Sequence, residues 1–206
     1  MSKGWQKGKK ATASRNVRRI LVICEDSKSS RDYFSSFPVD SNQVEIICEG
    51  TGKNTDSLME TALERRRTAF STKMPYEAIW VVFDKDSFSQ QQFNRSFDLA
   101  KPFSDMLPCW SNECFELWYL LHFCYRDTGV GRDEIYERLS KCHLGREYNK
   151  SDISVFDQLK PRLQHAINNA KRLAYENTIQ REPQRNPSTR VHELVEVLLS
   201  FDPAKQ

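Results

Sequence analysis

The stretch that most constrains this chain is Ala78-Ile79-Trp80-Val81-Val82-Phe83, which runs straight into Asp84-Lys85-Asp86. Residues 79–83 are apolar without a break and rich in β-branched and aromatic types. A run this short with no polar alternation predicts a strand buried on both faces, as in parallel α/β sheets. Asp84 and Asp86 then fall at the strand's carboxyl end, where open α/β sheets build their sites. Residues two apart in extended backbone point the same way, so both carboxylates can face one ligand. Two like charges so close call for a cation, and oxygen-only ligation suits Mg²⁺ or Mn²⁺. An acidic turn closing a strand accounts for the same residues, and the motif alone does not separate the two.

The flanking sequence repeats the pattern. Arg18-Arg19 leads into Ile20-Leu21-Val22-Ile23-Cys24, a second continuous apolar run, which ends in Glu25-Asp26-Ser27-Lys28. Ser29-Ser30-Arg31-Asp32-Tyr33-Phe34 reads as a capped helix start. A third run, Val44-Glu45-Ile46-Ile47-Cys48, closes with Glu49-Gly50-Thr51-Gly52-Lys53-Asn54, where two glycines permit a tight turn. Its spacing is not that of a phosphate-binding Walker loop. Thr55 to Phe70 carries Leu58, Met59, Ala62 and Leu63 at helical spacing, with Arg65, Arg66 and Arg67 in its last turns. Gln90 to Ala100 reads as a further helix, and Asp105 to Trp110 as a short fourth strand whose Pro108 favours a sheet edge or strand end. Strands alternating with helices over 20–110 indicate a doubly wound α/β unit.

Ser111 to Phe123 reads as a strongly apolar helix with Ser111 or Asn112 as N-cap and Glu113 and Glu116 on one face of its first turn. Acids there favour the helix dipole, which explains them without a site. Their place directly after the fourth strand also sets them beside Glu25, Asp84 and Asp86. His122, among apolar neighbours, reads as a packed histidine. Beyond Tyr125, residues 132–142, 152–180 and 188–200 read as helical. Arg146, Lys150, Lys160, Arg162, Lys171 and Arg172 form either a solvated face or a surface for a phosphate backbone.

Composition sets the outer bounds. At 206 residues, 29% charged and 38% hydrophobic, the chain is ordinary for a globular protein of one domain with an appended part. No apolar run approaches the roughly 20 residues needed to span a bilayer, and the basic N-terminus lacks the apolar core of a signal peptide. The six cysteines (24, 48, 109, 114, 124 and 142) form no C-x-x-C pair, which argues against a zinc site, and most lie in apolar context and read as small buried hydrophobes in a reducing cytoplasm. Residues 1–19 hold seven Lys or Arg and no acid; with a whole-chain charge of +3, the remaining 187 residues carry −4. A basic arm on a slightly acidic body suits contact with nucleic acid, or is a solubilising end.

Glu25, Asp84 and Asp86 thus form a candidate acid cluster at the ends of neighbouring strands. Three carboxylates around one or two Mg²⁺ ions can orient a phosphodiester, stabilise its developing charge and lower the pKa of a bound water. Glu25, from a different strand, is the candidate general acid/base, with the aspartates as rigid ligands. Lys28 and Lys85 can offset charge on a phosphate. Two other folds place Asp-x-Asp after a strand. A haloacid-dehalogenase-type phosphatase needs it on the first strand, yet a complete strand-helix-strand-helix precedes it here. A response-regulator receiver needs a lysine ending a fifth strand, and none is apparent.

Taken together, Ile23-Cys24-Glu25, Glu49-Gly50, Val81-Val82-Phe83-Asp84-Lys85-Asp86 and Asn112-Glu113-Cys114-Phe115-Glu116-Leu117-Trp118-Tyr119-Leu120-Leu121-His122-Phe123 resemble the RloB-like family. The resemblance covers roughly 18–200 and includes Asn186-Pro187-Ser188-Thr189; segment 112–123 is its most specific part. The family consists of prokaryotic proteins linked to restriction-modification and phage-defence loci, and looks related to Toprim domains. Those domains use a Glu after the first strand and Asp-x-Asp after the third, which the resemblance carries onto Glu25, Asp84 and Asp86 as metal ligands with Mg²⁺. The family commonly shows Glu-Gly where this chain has Glu25-Asp26, and Asn-Pro-Cys-Phe-Glu where it has Asn112-Glu113-Cys114-Phe115-Glu116. Glu116 therefore matches the pattern and Glu113 does not.

The expected fold is α/β: a Toprim-like, four-stranded, mainly parallel sheet with helices on both faces and a helical C-terminal extension. The expected division is a flexible basic arm over 1–19, the Toprim-like domain over 20–125 and a helical portion over 126–206 packed on it. The expected function is Mg²⁺- or Mn²⁺-dependent nuclease action on DNA or RNA in anti-phage defence, in the cytoplasm. Glu25, Asp84, Asp86, Glu116 and Lys28 are its candidate catalytic residues. The alternative is a non-catalytic nucleic-acid-binding or effector-complex subunit. Expected partners are nucleic acid and a defence-system protein, with a homo-oligomer allowed and no membrane.

Overall fold

A computed structural model describes residues 17–52, 55–85, 89–180 and 184–205. Asp86 and most of the N-terminal arm lie outside the described residues. The chain runs β1 (Arg18–Cys24), α1 (Ser29–Ser35), β2 (Val44–Gly50), α2 (Thr55–Ser71), β3 (Ala78–Asp84), α3 (Gln90–Ala100) and β4 (Met106–Asn112). It continues with α4 (Glu116–Leu121), α5 (Arg132–Arg138), α6 (Val155–Leu159), α7 (Leu163–Ile179), β5 (Ser188–Thr189) and α8 (Val191–Leu199).

The continuous apolar runs become the central strands, as their lack of alternation requires. The sheet order is β2-β1-β3-β4-β5, parallel throughout except for β5, which is antiparallel to β4. Alternate side chains feed two cores. Leu21, Ile23, Ile79, Val81 and Phe83 face Leu58, Met59 and Ala62 of α2 and Phe93 of α3. Ile20, Val22, Cys24, Trp80 and Val82 face the other way, onto α1, α4 and residues of the C-terminal helices such as Ile135, Leu159, Ile167 and Leu194. Helices therefore cover both faces. Ser89 and Gln92 close a capping box at the start of α3, which fixes its N-terminus.

Three details differ from the sequence expectation. The sheet has a fifth strand, because Ser188 and Thr189 pair with Asn112 and Ser111. That pairing draws Ser111 and Asn112 into β4, so neither caps a helix. The Ser111 and Thr189 hydroxyls hydrogen-bond at 2.8 Å, and α4 starts only at Glu116. β5 covers only the end of β4, which leaves Pro108 on a stretch with no strand beyond it among the described residues, consistent with its missing N–H. The expected helix over 152–180 is divided into α6, a 3₁₀ turn at Lys160–Arg162 that contains Pro161, and α7. Among the described residues no helix is long and apolar enough to cross a membrane.

Candidate active site

Parallel pairing sets the site. Cys24 is in register with Val82, so the chain leaves β1 level with the carboxyl end of β3. The Glu25 N–H donates to the Val82 carbonyl at 2.9 Å, and its carboxylate accepts the Asp84 backbone N–H at 3.1 Å. On the other side, Gly52 N–H donates to the Glu25 carbonyl at 2.8 Å and Thr51 N–H to the Cys24 carbonyl at 3.0 Å. The β1 exit is thus clamped between its two neighbours. Gly50 makes that clamp possible: a Cβ there would stand 2.5 Å from Ser27 Cα and 2.8 Å from the Asp26 carbonyl oxygen.

These turns border a cleft of about 440 Å³ whose lining includes Glu25, Asp26, Lys28, Asp84, Arg132 and Lys150. Asp84 continues the β3 face that carries Trp80 and Val82, and there its carboxylate meets Arg132 at 3.2 Å. Asp26 accepts from Lys28 N–H at 2.7 Å, Ser29 Oγ at 3.0 Å and Ser30 Oγ at 3.1 Å. The acid that follows Glu25 therefore starts α1, taking the part expected of a serine cap.

Glu113 and Glu116 do not share a helical face. Glu113 precedes α4, and its carboxylate accepts from the Asn186 side-chain amide at 3.3 Å. Asn186 also holds Val130 through both its N–H and its carbonyl, at 3.0 and 2.9 Å. Glu116 is fully buried behind the cleft wall, where it accepts from Tyr148 OH at 2.8 Å, with Lys150 Nζ at 3.6 Å and Ser29 Oγ, whose one proton it shares with Asp26, at 3.1 Å. Burial, and then the Glu116 charge, push the Tyr148 hydroxyl upward and keep it a donor.

Among the expected cations, exposed Lys28 lines the cleft, whereas the Lys85 ammonium lies over the Phe93 ring. Of the six C-terminal cations named above, Lys150 reaches the cleft. Arg172 pairs with Glu176, Lys171 with Glu196 and Arg146 with Asp152. Arg132 is the contributor that sequence reasoning missed. It occupies the first position of α5, where a cation opposes the helix dipole, and that misfit is the signal that could have found it. His122 is packed as expected. Its Nδ1 lies 2.9 Å from the Trp118 carbonyl oxygen, and burial pulls its pKa down to about 4.

Among the described residues no three His, Cys, Asp or Glu side chains gather as a metal cage. Glu25 and Asp84 offer hard oxygen donors on one cleft, a set that fits a Mg²⁺ or Mn²⁺ ion completed by water and ligand phosphate, since Mg²⁺ is often held by one or two carboxylates.

Comparison with curated proteins and with solved structures finds no match. A family model described as RloB-like protein matches residues 20–198, which takes in every described strand but the first two residues of β1, and the chain belongs to that family.

Proposed function

We propose that this protein is a metal-dependent nuclease with a Toprim-like sheet, cleaving phosphodiester bonds of DNA or RNA in defence against phage. The observation that carries the proposal is the Glu25–Asp84 pairing at the ends of adjacent parallel strands, on a cleft that also presents Lys28, Arg132 and Lys150. Glu25 and Asp84, with Asp86 two residues on, would hold the ion, which supplies charge neutralisation and a more acidic water. Lys28, Arg132 and Lys150 draw an oxyanion to the same lip. The hydrogen bond from Asp84 N–H fixes the Glu25 carboxylate in place, where it is the group set to take a proton from an attacking water. The defence role rests on family membership.

A second reading, a nucleic-acid-binding subunit without catalysis, is favoured by the ion pair that Arg132 already makes with Asp84. End-labelled DNA and RNA, incubated with Mg²⁺, Mn²⁺ or chelator, separate the two. The nuclease reading expects cleavage that needs metal and is lost in both Glu25→Gln and Asp84→Asn. Metal-dependent cleavage that survives in both variants defeats the assignment of the acids. Binding without cleavage under every metal establishes the subunit reading. Phage plating efficiency on cells carrying wild type or Asp84→Asn tests the defence role.

A further inference from the structure

Glu116 has no solvent exposure, and its Oε2 has no hydrogen-bond partner. Its helix neighbours Leu117, Trp118, Leu120 and Leu121 are core residues, so α4 packing does not call for a carboxylate here. A buried charge with a bare oxygen is unfavourable unless a cation answers it. The cation is Lys150, 3.6 Å from Oε1 and 35% exposed toward the cleft that Glu25 and Asp84 share.

The loop that delivers Lys150 is built for the purpose. It leaves a π-helical turn (Leu139–Leu144) through Gly145, whose φ of +67° suits a residue without a Cβ. Tyr148 N–H then donates to Ser140 Oγ at 2.8 Å, while Tyr148 OH donates to Glu116. Two residues on, the Lys150 ammonium lies 5.8 Å from the Tyr136 ring centre. Burial lowers the Lys150 pKa, but the Glu116 charge and the Tyr136 hydroxyl outweigh it, so the net shift is upward and the ammonium stays charged. Within the cleft, Arg132 is engaged by Asp84, whereas the carboxylate that steadies Lys150 stands behind the wall.

We propose that Lys150 binds a phosphate oxygen of the ligand in this cleft, and that Glu116 is the positioning residue that holds it there. Only the identity of the anion, a phosphodiester, rests on the nuclease reading.

The test is binding without turnover. Affinities for inorganic pyrophosphate and for a short single-stranded oligonucleotide are measured in chelator across a salt series. Lys150→Met should weaken both on the order of tenfold and flatten the oligonucleotide salt slope by about 0.7, the contribution of one phosphate contact. Lys150→Arg should restore most of the loss. Glu116→Gln should weaken binding to the same degree while the far-ultraviolet circular dichroism is retained. The double variant Glu116→Gln/Lys150→Met removes both charges, so it remains informative if the single lysine variant does not fold, and it should bind no worse than Glu116→Gln.

Wild-type affinity and slope in Lys150→Met, or in the double variant, overturn the phosphate contact. Losses that add in the double variant overturn the positioning role of Glu116. Lys150-dependent pyrophosphate binding in a protein that cleaves nothing upholds this subsite and sinks the nuclease. Metal-dependent cleavage with binding unchanged in Lys150→Met does the reverse.

Discussion

The Glu25 carboxylate accepts the backbone N–H of Asp84 at 3.1 Å, across 59 residues of chain. One acid thereby fixes the position of the other. Replacing Glu25 with alanine leaves that N–H without its acceptor and should cost about 1 kcal/mol of stability. If the pair holds a metal, Mn²⁺ affinity should fall by more than tenfold. Urea denaturation and Mn²⁺ titration followed by electron paramagnetic resonance measure the two effects separately.

Asp26→Ala removes an acceptor used by Lys28 N–H and by the Ser29 and Ser30 hydroxyls. A lost cap of this kind costs roughly 1–2 kcal/mol. Asp26→Asn keeps one acceptor oxygen and should lose less. Thermal melts of the two variants read the difference. Equal melting points in wild type and Asp26→Ala would show that α1 starts without this side chain.

Gly50→Ala places a methyl carbon against the backbone of Asp26 and Ser27 rather than against a side chain that can rotate away. The β1–α1 turn must shift, at about 1–3 kcal/mol for an overpacked site. Because Glu25 sits on that turn, ligand affinity of the cleft should fall as well. A variant with wild-type melting temperature and affinity would show that the turn yields at no cost.

His122 makes stability depend on pH. Its pKa is about 4 in the folded chain, lowered first by burial and only partly offset by the Trp118 carbonyl, against 6.5 in the unfolded one. The unfolded state therefore binds the extra proton, and stability is full above pH 6.5 and lost as pH falls toward 4. Between pH 7 and 5 this single group should cost on the order of 2 kcal/mol. His122→Gln removes that contribution, so its urea midpoint should fall less than that of wild type over the same interval. Parallel pH profiles in the two proteins would contradict this.

The central strands were legible because Ile20–Cys24 and Ile79–Phe83 are short, uninterrupted apolar runs rich in β-branched residues, which suits a strand covered on both faces. α3 was legible to its ends. β5 was not, because two residues carry no periodicity and their pairing with Ser111 and Asn112 is a contact across 76 or more residues. The same contact decided where α4 starts, and with it the separate surroundings of Glu113 and Glu116. The sequence placed Glu25 and Asp84 at the ends of their strands and Lys28 just after the first, and the cleft lining includes all three, whatever their role. Glu116 and Lys150 were named in the sequence, but their meeting through Tyr148, and the part of Arg132, were not, since these depend on how the C-terminal helices fold back over the sheet.

The parallel register of β1 against β3 places Glu25 beside Asp84. A slip of one residue would carry Glu25 about 3.3 Å along the sheet and turn every side chain of β1 to the opposite face. No partly aligned version of this cleft exists. Whatever ligand it takes is, in effect, a proofreader of the fold: it can bind chains whose two central strands have met in one alignment and ignores all others.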